Sequence, residues 1–419
     1  MVVNILIFAA GLLIYAGYGL PGLIYLACAT ALSYLLGLLI PKQKWLMWVG
    51  VAANAGILLF IKLQPLTGLR FLSVLGISYF TLQIIAYLVD VYKGKHPPER
   101  NFFRYALFVT YLPHLFSGPI ERYDRFMASL QNRRITSDGI LSGAARALWG
   151  GVKLLLIDAR VGVIIAAIAA KPESYAGAYA LAAMILYSLR LYTNFSGSMD
   201  LVLGVSRMLG LSMSENFDTP YLAQSFQEFW RRWHITLGDW LKYYVYIPLG
   251  GNRKGPFRKT MNLILTFLVS GIWHGIEYLF WGIFNGIFVA FGTTLQTKWK
   301  HLNRVCTFLL VSLLWSFFIW PDAITAMRMM ASVFTTANYG AFFATVGTLG
   351  LSATDWIIVA VASLILWIYD NFRHRIHPRI AAMPMAGRVA MLCALGLIIL
   401  TFGRYGLGFD AAGFVYGGY

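Results

Sequence analysis

Apolar stretches of about 17–25 residues recur along almost the whole chain, each long enough to cross about 30 Å of hydrocarbon. They lie at about 2–18, 22–40, 45–63, 71–91, 143–169, 177–195, 262–293, 305–320, 352–370 and 386–402. A backbone inside lipid must satisfy its own hydrogen bonds, so these segments are expected to be helices. The alternating segments of about ten residues that mark a membrane β-barrel are not present in the pattern. Composition points the same way: 59% of residues are hydrophobic and only 12% charged, where a soluble domain carries about 25%. A soluble core does not explain that deficit, because a chain of 419 residues would still need a polar surface. Two further stretches, about 103–119 and 324–348, are apolar but irregular, with Pro113, Gly118 and Pro119 in the first. Re-entrant or partly buried segments fit them better than full crossings. The expected fold class is therefore all-α, a polytopic integral membrane protein. With no linker dividing it, 1–419 reads as a single domain.

The chain holds 34 Lys plus Arg against 17 Asp plus Glu. On a soluble protein that excess would suggest nucleic acid. Here the cations sit mostly in short loops between apolar segments, as the positive-inside rule requires, with membrane lipid as the natural partner. The clusters are Lys42 and Lys44; Lys93, Lys95, Arg100 and Arg104; Arg122, Arg125, Arg133 and Arg134; Arg253, Lys254, Arg258 and Lys259; Lys298, Lys300 and Arg304; and Arg373, Arg375 and Arg379. All fall in the cytoplasm if the N-terminus does, if 103–119 is re-entrant, and if 262–293 enters and leaves as a broken hairpin. The first apolar run lacks a preceding basic stretch and reads as a membrane helix rather than a cleaved signal. Cys28, Cys306 and Cys393 are far apart in apolar stretches, which argues against a disulfide framework or a metal site. No internal repeat of the kind expected in many transporters is present.

The segment Ser214–Gly255, SENFDTPYLAQSFQEFWRRWHITLGDWLKYYVYIPLGGNRKG, carries too many charges for a span. Ser225 followed by Glu228 resembles a capping box opening a helix. Beyond it Phe226, Phe229, Trp230, Trp233, Leu237, Trp240, Leu241 and Tyr244 recur at helical spacing, opposite Gln224, Glu228, Arg231, Asp239 and Lys242. That pattern predicts one amphipathic helix, about Ser225–Tyr246, lying at the membrane interface with Trp230, Trp233 and Trp240 on one face. Pro248 and the Gly250–Gly251 pair end it. Asn252, Arg253 and Lys254 in the following loop offer backbone N–H groups and two cations for a phosphate; a plain positive-inside anchor accounts for them equally well.

Of seven histidines, His96, His301, His374 and His377 lie in basic loops and read as solvated charges or lipid contacts. His274, in VSGIWHGIEYLFWGIFNG, sits within an apolar run. An ionisable group at membrane depth is costly and points to function, while Ser270, Gly271 and Gly275 leave room for a ligand or a close helix. A structural histidine bonded to a neighbouring helix would also suit. His234 follows Trp233 and reads either as a site residue or as an interfacial side chain. His114, between Pro113 and Ser117–Gly118–Pro119, reads as a contact residue or as a cap on an irregular segment.

These residues carry a resemblance. FWRRWHITLGDWLKYYVYIPLGGNRKG, followed after one apolar stretch by GIWHG, resembles the membrane-bound O-acyltransferase family, and most closely its bacterial branch containing the alginate O-acetyltransferase membrane subunit. GISYFTLQIIAYLVDVYKG (Gly76–Gly94), LPHLFSGPIERYDRF (Leu112–Phe126), KLLLIDARV (Lys153–Val161) and YTNFSGSMDLVLG (Tyr192–Gly204) are similar to family segments in the expected order, and FVYGGY to the aromatic ending of the branch. The resemblance implies a ring of helices around a thin, funnel-like centre, with re-entrant and interfacial helices. It implies catalytic roles for His274 in the WHG motif and His234 in RRWH, with His274 where donor and acceptor paths meet. Tyr243, Asn194 and His114 depart from the family's usual Asp, Asp and Gln.

The chemistry follows from that resemblance. Attack of an acceptor hydroxyl on an acyl thioester requires removal of the hydroxyl proton, a task neutral imidazole suits at pH 7. His274 is the expected general base, and the developing oxyanion needs donors, for which His234 or Asn285 are candidates. No GxSxG nucleophile motif is present, so direct transfer is favoured. The expected donor is acetyl-CoA or another acyl thioester, with no permanently bound cofactor and no metal. The expected acceptor is a cell-surface polysaccharide or cell-wall polymer outside the bacterial plasma membrane, reached directly or through an extracytoplasmic acyltransferase partner. D-alanyl transfer from an acyl carrier protein to teichoic acid, and a membrane transporter, are the alternatives.

Overall fold

A computed structural model describes residues 2–67, 74–292 and 296–405; the ending FVYGGY lies outside them. Among the described residues every regular element is helical, and the one extended pairing is an isolated bridge between Phe217 and Trp233. Among the described residues five helices are long and apolar enough to cross a membrane: Leu20–Leu39, Leu46–Gln64, Lys300–Ile319, Ala353–Ala382 and Met385–Phe402. Their outward faces carry exposed Leu32, Trp48, Leu364, Trp367 and Leu400, and Met385–Phe402 buries none of its residues in the protein. Apolar area on that scale is stable only against lipid. The chain is an all-α, multi-pass membrane protein.

Several elements differ from the sequence expectation in informative ways. The stretch expected at 177–195 is part of a 31-residue helix, Ala178–Met208, the central helix of the fold. The helix carries Asp200 in its second half, and that charge is compensated inside the protein: it accepts from Arg146 Nε at 2.9 Å and Lys153 Nζ at 2.7 Å. Lys153 reaches it from a π-helical turn, Lys153–Asp158, between Ser137–Val152 and Ala159–Ala169. A π turn shifts the register of the following side chains, and here both its ends face the central helix: Asp158 accepts from Asn194 Nδ2 at 2.8 Å. His374 and His377, expected in a loop, lie inside Ala353–Ala382. His96 is half-buried against the rings of Tyr87 and Tyr123, at 5.5 and 5.0 Å, rather than free in solvent.

The irregular stretches are irregular for local reasons. Phe102–Thr110 and Leu112–Ser117 are separate helices with a break at Tyr111, and Pro113 occupies the first turn of the second, where a missing N–H costs little. Ala323–Thr335 starts on an Asp322 cap, and Tyr339–Thr345 follows it.

Close helix contact is set by glycine. A Cβ on Gly143 would lie 2.6 Å from the Gly204 carbonyl oxygen, and one on Gly150 would lie 2.5 Å from that of Gly197. The two pairs are spaced seven residues apart on each helix, so Ser137–Val152 lies along the central helix with backbones touching. Small residues make such approaches possible in membrane helices.

Buried apolar side chains form two cores. One surrounds the central helix and includes Phe195, Phe229, Trp233, Trp281 and Trp315. The other surrounds Ile77–Tyr92 and includes Tyr87, Phe108, Phe126, Leu237, Leu241 and Trp273. The chain passes from the first core to the second between Trp233 and Leu237, and the Gly255–His274 helix meets that seam at Trp273.

Candidate active site

The expected helix Ser225–Tyr246 is broken where His234 stands. Phe226–Arg232, opened by Ser225 accepting from Glu228 N, ends at Trp233. Ile235–Leu241 then begins, followed by a π turn Lys242–Tyr246. His234 has φ 46° and ψ 54°, a left-handed conformation that costs a non-glycine residue about 1–2 kcal/mol. The polar side of the pattern holds, with Arg231, Asp239 and Lys242 exposed. The apolar side is buried in protein instead of resting in lipid. Trp233 is fully buried, Trp230 packs on Trp281 and Trp315, and Trp240 donates its Nε1–H to the Leu82 carbonyl at 2.8 Å. The kink sends Trp233 and Trp240 into different cores, which a straight helix could not do.

The segment Asn216–Asp218 enforces the kink. Its backbone pairs across His234: Asp218 N donates to the Arg232 carbonyl at 2.9 Å and Ile235 N to the Asn216 carbonyl at 3.0 Å. The Asn216 side-chain oxygen accepts from Thr236 N at 3.0 Å and Thr236 Oγ1 at 2.7 Å, and lies 3.4 Å from His234 Nδ1. Asn216 Nδ2 faces Met199 Sδ at 3.2 Å. Phe195 stands edge-to-face on the His234 ring at 4.8 Å.

His274 ends the Gly255–His274 helix. The chain reverses there at Gly275, φ 155°, makes one 3₁₀ turn and returns as Leu279–Phe291. The two arms touch at Gly271 and Gly282, where a Cβ on Gly271 would lie 3.2 Å from Gly282 Cα. This is the broken hairpin expected of 262–293. His274 is 5% exposed and His234 3%. The His274 ring contacts Trp273, Trp281 and Phe318 at 4.7, 5.4 and 5.6 Å, and Trp273 also faces His234 at 6.2 Å. His234 and Lys62 are within electrostatic reach of His274, and Lys62 of Glu277 as well. The two motif histidines are thus brought together in a mostly aromatic enclosure at the seam between the cores.

The remaining candidates fall elsewhere. His114 is fully buried, with Nδ1 3.2 Å from Gln83 Nε2, under Tyr111 and Phe126. Asn285 is buried and donates to the Trp281 carbonyl of its own helix at 2.8 Å. Asn252, Arg253 and Lys254 are exposed. They precede the 20-residue helix that ends in His274, which at 1.5 Å per residue separates them from it by about 28 Å. No single side chain bridges that span, so any role for them is at a distance from the reacting atoms.

Three features escaped the sequence reading. Asn216 and Thr236 gave no periodic signal, since their partners are set by a backbone crossing. Lys62 was readable as a cation inside an apolar run, the same signal that singled out His274. The third is a cavity of about 720 Å³ between Ser137–Val152, the central helix and the last two helices. Arg146, Lys153, Arg373 and His374 line it together with Trp149 and Tyr369, whose rings are 5.0 Å apart, and its wall reaches Asn216.

The fold and site are those of an all-α membrane protein that encloses two histidines at a core seam, and comparison with known proteins gives its family. The profile of MBOAT, the membrane-bound O-acyltransferase family, matches residues 45–336. The chain is 34% identical to the probable alginate O-acetylase AlgI of Pseudomonas putida over 368 residues, 80% of this chain and 76% of that one. It is 32% identical to the peptidoglycan O-acetyltransferase of Helicobacter pylori over 378 residues, covering 77% and 72% of the two chains. It is 28% identical to the teichoic acid D-alanyltransferase of Streptococcus thermophilus over 282 residues, covering 62% and 67%. The chain belongs to the membrane-bound O-acyltransferase family and is a membrane acyltransferase.

Proposed function

We propose that this protein moves an acetyl group from a cytoplasmic thioester, acetyl-CoA or an acyl carrier protein, to a hydroxyl of an extracytoplasmic polysaccharide or cell-wall polymer, directly or through a partner acyltransferase. His274 is the general base. It takes the hydroxyl proton as the oxygen attacks the thioester carbon; the C–S bond breaks, and the thiol leaves with a proton as the ester forms. The observation that carries this reading is the enclosure of His274 beside His234 where two packed cores meet. A base there is shielded from bulk water, which protects the thioester from hydrolysis.

The cavity supports a route for the donor. The Trp149–Tyr369 pair suits a flat ring, the mixed wall of Asp200 and Glu215 with the ion-paired Arg146, Lys153 and Arg373 suits a polar ligand, and the wall approaches the His234 support at Asn216. The relatives that act on alginate and peptidoglycan favour a surface polymer as acceptor. The more distant D-alanyltransferases make an aminoacyl group on a carrier protein the second reading.

The test is an assay of membranes containing the protein with radiolabelled acetyl-CoA and a panel of acceptor polymers. Label entering polymer from the wild type and not from His274→Ala supports the reading. Transfer only from a D-alanyl carrier protein supports the second, and undiminished transfer by a folded His274→Ala protein overturns the assignment of the base.

A further inference from the structure

The hydrogen bonds around His234 fix more than its backbone. Thr236 N can only donate, so the Asn216 side-chain atom 3.0 Å from it is the oxygen. Thr236 Oγ1 accepts from Ile120 N at 3.0 Å, and its own proton then points to the same Asn216 oxygen at 2.7 Å. The amide nitrogen is turned the other way, onto Met199 Sδ. The atom facing His234 Nδ1 at 3.4 Å is therefore an acceptor with no proton to give. A ring nitrogen facing an acceptor carries the proton, and in a neutral imidazole the other nitrogen then holds the lone pair.

We propose that Asn216 is a positioning residue that holds His234 as its Nδ1–H tautomer, so that Nε2 is an acceptor towards the reacting groups and not an oxyanion donor. The inference rests on the acyl-transfer reading for its purpose, but not for its geometry. Asn216 is completely buried and its backbone closes the left-handed kink, so position and tautomer come from one residue. In the reaction, His234 Nε2 accepts from a neighbouring hydroxyl of the acceptor and aligns it, leaving the single proton of the attacking hydroxyl to His274. Donors to the oxyanion then have to come from elsewhere in the enclosure.

The experiment is ¹⁵N NMR of the full-length chain in detergent micelles, labelled at histidine, with His234 assigned by the signal lost in His234→Gln. The wild type should show a protonated Nδ1 and an unprotonated Nε2 in the neutral ring. Asn216→Asp keeps an acceptor in place and should keep that tautomer. Asn216→Leu should shift it towards Nε2–H and lower kcat by roughly 10²-fold or more with a smaller change in KM. A wild-type His234 in the Nε2–H form overturns the proposal, even if Asn216→Leu fails to fold. So does a folded Asn216→Leu protein with an unchanged tautomer. The spectrum is read without substrate, so a chain that transfers no acetyl group would sink the functional reading and leave this one standing.

Discussion

The Trp273 indole lies 4.7 Å from the His274 ring and 6.2 Å from that of His234, so one side chain contacts both motif histidines, which stand forty residues apart in the chain. Trp273 belongs to the core around Ile77–Tyr92, while Trp281, on the other side of His274, belongs to the core around the central helix. The two motif histidines are held by both halves of the packing at once.

His274→Ala should abolish acyl transfer with near-normal expression and membrane insertion. Loss of a general base lowers rates roughly 10²–10⁴-fold. Turnover by purified protein, compared with its melting temperature, separates loss of chemistry from loss of fold.

His234→Ala should remove an alignment group without relieving the backbone strain, since alanine adopts the left-handed region no better than histidine. A glycine tolerates φ 46° freely, so His234→Gly should be more stable than His234→Ala by a few tenths to about 1 kcal/mol, with both impaired in turnover. Equal melting temperatures would show that the kink carries no strain.

Asp200 holds two cations, Arg146 and Lys153, beside the central helix. Asp200→Ala leaves the buried Lys153 without its carboxylate, while Arg146 keeps Glu215, and should cost about 3–5 kcal/mol. The check is thermal unfolding in detergent, where Glu215→Ala, which removes an exposed partner of Arg146, should cost under about 1 kcal/mol.

Gly150→Ala should destabilise by about 1–3 kcal/mol through overpacking, because its Cβ would meet the Gly197 carbonyl at 2.5 Å. Gly56→Ala is the contrast: nothing lies within 4 Å of that Cβ in the helix Leu46–Thr67. There the gain in helix propensity, up to about 1 kcal/mol, is expected instead.

The basic loops should face the cytoplasm. Asn252 and Lys298 are both exposed, and cysteines placed there should react with an impermeant thiol reagent only in inside-out vesicles. Labelling of either in intact cells would overturn the orientation inferred from charge.

The sequence by itself determined the class of protein. Apolar run length, charge placement and the loss of polar surface depend only on local composition, so an all-α membrane architecture was legible. So were the helix start at Ser225 and the hairpin at His274. What the sequence could not yield depends on contacts between distant positions. The helical spacing from Phe226 to Tyr244 was real, yet it does not record that residues 216–218 cross the chain at His234 and break the helix there. The pairing of Asp200 with Lys153, 47 positions apart in the chain, depends on the fold that places them 2.7 Å apart. The cavity is lined by residues from Asp138 to Leu395. Periodicity reports which face of a segment avoids water; only tertiary packing decides whether that face meets lipid or another helix.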